Sequence, residues 1–262
     1  MIRYLTALLL VALPAHADDA IWQQLSLGGE AKVVSVIDGD TVVIDPALDD
    51  MAEVRLVGIQ APKLALGREG FTSWPMSDTA KIALERIVTG QTVQLYYGDR
   101  RADRHGRHLA HLRLDDGTWV QGRLLEDGWA RVYSFPDNRA LVADMLAREQ
   151  DARRRRAGIW SHANYRVRSP DELPDLIGRF EVAEGTVKAA NVVNGTLYLN
   201  FGDDWRTDFT LRARRSALDL FETDGIEPAS YEGRQVRARG WLKDFNGPMI
   251  DVTHPEQIEI LP

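Results

Sequence analysis

Aliphatic and β-branched residues gather in short runs from residue 31 onward, and the breaks between runs fall at Gly, Asp and Asn. "AKVVSVIDGDTVVIDP" holds two such runs that meet at Asp38-Gly39-Asp40, and "AEVRLVGIQ" supplies a third. Three strands are predicted, with a tight turn between the first two. The period then lengthens. In "SDTAKIALERIVTG" the apolar positions Ala80, Ile82, Ala83 and Ile87 fall at helical spacing, with Ser77 and Asp78 as N-cap candidates and Gly90 as the stop. Strands return in "QTVQLYY" and "HLAHLRL". A short helix in "TWVQGRLLEDGWARVY" ends at Gly128, and a longer one over residues 139–156 carries Leu141, Met145 and Ala152.

The second half repeats the order with different residues. "RFEVAEGTVKAANVVNGTLYLNFG" contains two strands around Asn194-Gly195, "WRTDFTLRA" is a third, and "RRSALDLFETDG" is a short helix. "RQVRARGWLKDF" and "MIDVTHPEQIEIL" supply the last strands around Asn246-Gly247. Each half thus reads β-β-β-α-β-β, the element order of a five-stranded OB-type Greek-key barrel. The expected fold class is mainly β with α (α+β). An OB-fold barrel with packed helices spans residues 30–162, a linker containing "RSPDELPD" spans 163–176, and a second OB-like β-barrel spans 177–262.

Three features outside the pattern change this picture. Residues 1–17 read as a signal peptide, with Arg3, an apolar run from Leu5 to Leu13 and Ala15-His16-Ala17 in the small-x-small form that precedes cleavage. The mature chain is therefore expected to start at Asp18 and to be periplasmic or secreted, with no membrane span. The chain has no Cys, so disulfides and thiolate chemistry are excluded. Its formal charge of -7 lies in one half: residues 170–262 hold 17 acidic and 10 basic side chains, whereas residues 1–169 hold 22 of each. A uniformly basic, phosphate-binding surface is excluded, and any anion site must be local.

Taken alone, Asp38-Gly39-Asp40-Thr41 is a hairpin turn. The same two carboxylates and hydroxyl can also form part of a hard-cation site, since calcium takes several oxygen ligands. Arg55 opens the third strand, and Arg107 lies in "RADRHGRHLAHL" with Arg104 and His105. Singly these are surface charges. Together with the Asp pair they supply what phosphodiester cleavage needs, because arginine forks grip phosphate oxygens while a cation polarises phosphorus and delivers water. Arg153 to Arg156 read as a solvated helix end on the negative pole of the dipole, and Trp74, Trp129 and Trp160 as core residues.

From "VSVIDGDTVVI" through "VRLVGIQAP", "RADRHGRHLAHL" and "LLEDGWARVY" to "AGIWSH", the chain resembles the staphylococcal nuclease (thermonuclease) family. The resemblance implies an OB-barrel nuclease domain, calcium dependence and hydrolysis of DNA and RNA. It places Arg55 and Arg107 at the two catalytic arginines, and Arg104 and His105 where the family has a lysine and a tyrosine on a nucleotide phosphate. Asp40, with Thr41 and the nearby Asp38, falls at the calcium site. Two positions depart from the family. It reads Asp-Thr-Pro-Glu where this chain reads Gln60-Ala61-Pro62-Lys63, so Gln60 replaces the second metal carboxylate and Lys63 the glutamate that orients or deprotonates water.

Four carboxylates become a set with net charge -1, and the Lys63 ammonium is expected at the vacated cation position, paired with Asp40. A protonated lysine is no general base; Glu69 and His105 are the nearest alternatives. The expected function is an exported thermonuclease-family protein with a nucleic-acid or nucleotide phosphate-binding cleft and a vestigial calcium site, its hydrolytic activity lost or strongly reduced. Two other readings stay open at this stage: an active nuclease with another base or metal arrangement, and an envelope interaction module whose second barrel meets a protein partner. That barrel has Asn194-Gly195-Thr196 at its equivalent hairpin, which removes the metal logic there.

Overall fold

The first run of strands closes into a ring. The computed structural model describes residues 17–262, and the segment read as a signal peptide falls, but for Ala17, outside them. Strands β1 (Ser26–Asp38), β2 (Thr41–Leu48), β3 (Met51–Leu56), β4 (Ile59–Gln60), β5 (Thr92–Tyr97) and β6 (His108–Leu114) are interrupted once by helix α1 (Ser77–Val88). Five of them form a closed barrel in the order β1-β2-β3-β6-β5, with β5 pairing back onto β1 and β3–β6 as its parallel pair. This is the expected OB topology. Period-two alternation sends Val33, Val42, Val54, Leu95 and Leu112 into a fully buried interior. Ala80, Leu84 and Val88 put one stripe of α1 on the same core. Its N-cap is Met76, one residue before the expected Ser77; Asp78 lies in the first turn, where its charge complements the dipole.

The predicted third strand breaks in two. Gly58 has φ +80, a conformation that favours glycine, while a Cβ there would meet only the flexible end of the Met145 side chain, Cε at 2.5 Å. The chain turns off the barrel at this point. Ile59 and Gln60 pair instead with β7 (Arg131–Val132), which follows helix α2 (Val120–Glu126) and precedes α3 (Val142–Arg155).

The second half holds β8 (Phe180–Thr186), β9 (Ala189–Val193), β10 (Thr196–Asn200), β11 (Thr210–Ala213), helix α4 (Arg215–Thr223), β12 (Gln235–Asp244), β13 (Pro248–Val252) and β14 (Ile258–Ile260). They form a seven-stranded sheet ordered β14-β12-β13-β11-β10-β9, with β8 on β12. Its parallel pair, β11–β13, sits where β3–β6 sits in the barrel, and β8 and β9 are successive pieces of one leading strand interrupted at Val187 and Lys188. A separate apolar cluster around Phe221, Leu199, Val236 and Ile250 fills it. Among the described residues no helix is long and apolar enough to cross a membrane.

The segment between the halves is built into the joint. Trp160, Tyr165 and Val182 share one small cluster, and Leu173 is wholly buried in the second core. Charge completes the joint. Glu149 on α3, with no exposure, accepts from Val132 N–H, from Arg239 of β12 at 2.9 Å and from Arg153. Arg239 also donates to Glu259 of β14. Arg153, expected on a solvated helix end, is therefore buried in an ion-pair network because its position on α3 faces the second half. Burial alone would raise the Glu149 carboxyl, but Arg239 and Arg153 hold it below its ordinary value.

Candidate functional site

The β1–β2 turn packs against α1 at Gly39, where a Cβ would meet Ala61 Cβ at 2.6 Å and Ala80 Cβ at 3.0 Å. That close approach buries the two flanking carboxylates. Asp40 has no exposure and Asp38 only 7 %. Lys63 reaches over them, with Nζ 2.7 Å and 2.8 Å from the Asp40 oxygens and 3.5 Å from Asp38 Oδ2. Asp40 also accepts from the Ala61 N–H at 2.7 Å, and its Oδ1 lies 3.0 Å from Arg55 Nη1 and 3.3 Å from the Thr41 hydroxyl. Asp38 Oδ1 accepts the Asp40 N–H at 3.1 Å.

These donors engage both oxygens of Asp40, whereas Asp38 has the Asp40 N–H on one oxygen and the ammonium at 3.5 Å from the other. Calcium needs six to eight oxygen ligands free of other cations, whereas here an ammonium holds the position between the two Asp side chains. Gln60 lends no oxygen. Its Oε1 accepts from Arg131 Nη2 at 2.8 Å and Nε at 3.1 Å, and Arg131 Nη1 donates to the Phe180 carbonyl of the second half at 3.0 Å. Arg131 also stacks on Phe180 at 4.4 Å from its centroid. The residue at the family's second metal position is thus a strut of the joint between the halves, and the donor set does not fit calcium.

Burial by itself would raise the Asp40 carboxyl, yet Arg55 and Lys63 overcome it and hold Asp40 at about 2. Asp38 moves the other way, raised by burial and by the Asp40 charge, with Lys63 and Arg55 only partly offsetting. A depressed folded-state carboxyl stabilises the fold above its unfolded value near 3.8 and loses that contribution as pH falls towards 2. Asp38, being raised, contributes in the opposite sense, its stabilisation present in acid and lost as pH rises. The unfolding free energy should therefore fall by about 2 kcal/mol from Asp40 between roughly pH 4 and pH 2, partly offset by Asp38. Denaturant titrations at stepped pH should show this slope flattened in Asp40→Asn and steepened in Asp38→Asn; an unchanged slope in both would place the acid sensitivity elsewhere.

Arg55 joins the ion cluster to an open cleft. The β2–β3 register sets it opposite Thr41, and its guanidinium donates to the carbonyls of Asp40 at 3.1 Å, Leu56 at 2.9 Å and Ile59 at 2.6 Å. It is anchored from behind and faces a cleft of about 440 Å³. The parallel β3–β6 register places Leu109 beside Arg55, so the loop before β6 forms the opposite wall with Arg104, His105 and Arg107. Arg107 pairs with Asp103 at 2.6 Å, and Asp103 accepts the His105 N–H at 2.8 Å; Arg104 Nε donates to His105 Nε2 at 3.1 Å. Burial would raise Asp103, but bonds from Arg107 hold it below its ordinary value.

The structure therefore divides the expected site into two. Arg55, Arg104, His105 and Arg107 meet at the cleft, whereas Asp38, Asp40, Thr41 and Lys63 form a buried cluster beneath Arg55. Glu69 is exposed on the loop after Pro62 and does not line the cleft. Sequence reasoning missed Arg100, Tyr133 and Phe135, which complete the cleft wall. Tyr133 packs edge-on against Phe135 at 4.8 Å, and its hydroxyl accepts from Trp241 Nε1 of the second half at 3.1 Å. The readable signal was the alternation in "RVYSF", with aromatics at every second position after a buried strand.

An OB barrel that presents arginines from β3 and from the loop before β6 to one cleft defines a nuclease-like domain. The family described as staphylococcal nuclease homologue matches residues 53–162. The chain is 30 % identical over 133 residues to the thermonuclease of Staphylococcus intermedius, covering 50 % of this chain and 77 % of that protein. It is 30 % identical over 143 residues to an uncharacterized endonuclease of Escherichia coli O157:H7, covering 55 % and 84 %. Over 164 residues it is 35 % identical to protein ParB of Escherichia coli, covering 59 % and 80 %. The chain belongs to the staphylococcal nuclease family.

Proposed function

We propose that this protein is an exported member of the family that keeps a phosphate-binding cleft for nucleic acid and has lost calcium-dependent hydrolysis. One observation carries the reading: the Lys63 ammonium lies 2.7 Å from Asp40 and 3.5 Å from Asp38, so a fixed monovalent cation stands between the carboxylates. The acid-base step loses its group as well, because a protonated lysine cannot take a proton from water. The arginines keep their cleft, and the exposed Phe135 beside them offers a face on which a base can stack.

The test is a calorimetric calcium titration of the purified protein beside cleavage of single-stranded DNA in calcium and in chelator. The expected result is no saturable calcium site at millimolar concentration and no calcium-stimulated cleavage. A single site abolished by Asp40→Asn would sink the proposal. Cleavage that persists in chelator and is lost on His105→Ala would favour a working nuclease with another base.

A nucleoside 3′,5′-bisphosphate should bind the cleft, and Arg107→Ala should weaken it by about 1.5 kcal/mol, the low end for a charge-assisted bond. The low end applies because phosphate must displace Asp103 from the guanidinium. Equal affinity of the two proteins would show that the cleft does not read phosphate.

A further inference from the structure

The second half carries a concave site of about 510 Å³ on the outer face of β9, β10, β11 and β13. Strand register builds it: Tyr198 lies opposite Asn191, Asn200 opposite both Ala189 and Thr210, and Thr210 opposite Met249. Leu197 and Leu199 alternate with these residues and fill the core. Two turns raise the rims, the β10–β11 connection bringing Trp205 and the β12–β13 turn bringing Phe245. Both rings stand in solvent, at 54 % and 52 % exposure. Neither is loose. Arg206 stacks on Trp205 at 4.4 Å, and Arg212, tied to Asp251 at 2.7 Å, stacks on Phe245 at 5.0 Å.

Two large exposed aromatics flanking a pocket call for a ligand with a flat apolar face. Charge decides which kind. Aromatic platforms that hold nucleic acid are interleaved with Lys and Arg, and the cleft of the first half has that character with Arg55, Arg100, Arg104 and Arg107. Here Asp203 is the one charged residue in the lining, and Lys188 neutralises it at 2.7 Å; the two guanidiniums stacked on the rings are themselves paired, Arg206 with Asp204 at 3.7 Å and Arg212 with Asp251 at 2.7 Å. The surrounding residues 170–262 have 17 acidic against 10 basic side chains. A polyanion would be repelled. What remains between the rings is neutral: the amides of Asn191 and Asn246, the Tyr198 hydroxyl, and the amide oxygen of Asn200, whose Nδ2 already donates to Thr210 at 3.1 Å. Amides and hydroxyls both donate and accept, which matches ligand hydroxyls that do the same.

We propose that this pocket binds an uncharged oligosaccharide, with sugar rings against Trp205 and Phe245 and their hydroxyls bonded to the side-chain amides. The strand-2 and strand-3 face of OB folds takes oligonucleotides and oligosaccharides alike, and the neutral lining here favours the second. The inference stands apart from the cleft and does not need nuclease activity to be present or absent.

Calorimetry of the full protein with cellotriose, maltotriose and triacetylchitotriose tests it. At least one should bind with 1:1 stoichiometry and a Kd of about 1 mM or tighter. Trp205→Ala and Phe245→Ala should each weaken that binding roughly tenfold or more, with melting temperatures unchanged because both side chains are exposed. Arg107→Ala should leave it untouched. The proposal is overturned if none of the three sugars binds, if binding survives both aromatic substitutions, or if an oligo-dT decamer displaces the sugar.

Discussion

Calcium is expected to raise the melting temperature of a Lys63→Met variant and to leave that of the unaltered protein where it is. Lys63 is the built-in countercharge of a buried carboxylate pair. Removing it leaves Asp38 and Asp40 side by side with Arg55 as the remaining cation, and breaking a buried ion pair from one side costs about 3–5 kcal/mol. Lys63 retains 20 % side-chain exposure and Arg55 still neutralises Asp40, so the expected loss is smaller, about 2–3 kcal/mol. The vacated position then has the two carboxylates of Asp38 and Asp40 beside it. A divalent cation that binds there with a Kd of about 1 mM returns about 1.4 kcal/mol at 10 mM.

Thermal unfolding in calcium, magnesium and chelator checks both parts. A variant as stable as the parent, or one blind to calcium, would remove Lys63 from the role of substitute cation. Adding Gln60→Asp is expected to contribute little to metal affinity, because the new carboxylate faces the Arg131 guanidinium that now holds Gln60. Activity regained by the Lys63→Glu, Gln60→Asp pair would have to come chiefly from position 63.

Glu149→Ala is expected to cost about 3–5 kcal/mol, the largest effect of any single replacement considered. The carboxylate is wholly buried and serves Arg239 at 2.9 Å, Arg153 and the Val132 N–H at once. Without it Arg239, itself 1 % exposed, keeps Glu259 as its anion, and Arg153 keeps the same residue at 3.7 Å. One carboxylate, which Arg237 also approaches at 3.6 Å, then stands for three guanidiniums at the joint. Glu149→Gln keeps the volume and one acceptor and should lose less. Because Arg239 and Glu259 belong to the second half and Glu149 to α3, the damage should be read first at the joint. Hydrogen exchange should rise in β7 and β12 before the barrel strands β1 and β2 respond. Uniform loss of protection across the chain would mean that the network supports the whole fold rather than the contact between its halves.

The sequence by itself determined the barrel and the family it belongs to. Period-two runs of Val and Ile, the Asp38-Gly39-Asp40 turn and the helical spacing of α1 are local signals; the turn and the helix formed, though the third strand broke in two and α1 buries Leu84 and Val88 rather than the exposed Ile82. The pairing of Lys63 with Asp40 was legible because Pro62 aligns the loop with the family and leaves one cation facing two anions.

Tertiary structure decided the rest, since it depended on contacts between residues far apart in the chain. "AEVRLVGIQ" reads as one strand, and only the positive φ at Gly58 and the pairing of Ile59 and Gln60 with β7 show why it breaks and turns Gln60 towards Arg131. Glu149 lies four residues from Met145 and three from Ala152, on the buried stripe of α3, so a charge at a core position was visible. Which cation meets it was not, because Arg239 lies 90 residues away. Arg55 and Arg107 read alike in sequence. The β2–β3 register and three backbone carbonyls anchor the first, while one carboxylate of its own loop holds the second, because side-chain freedom is set by what the fold brings within bonding distance.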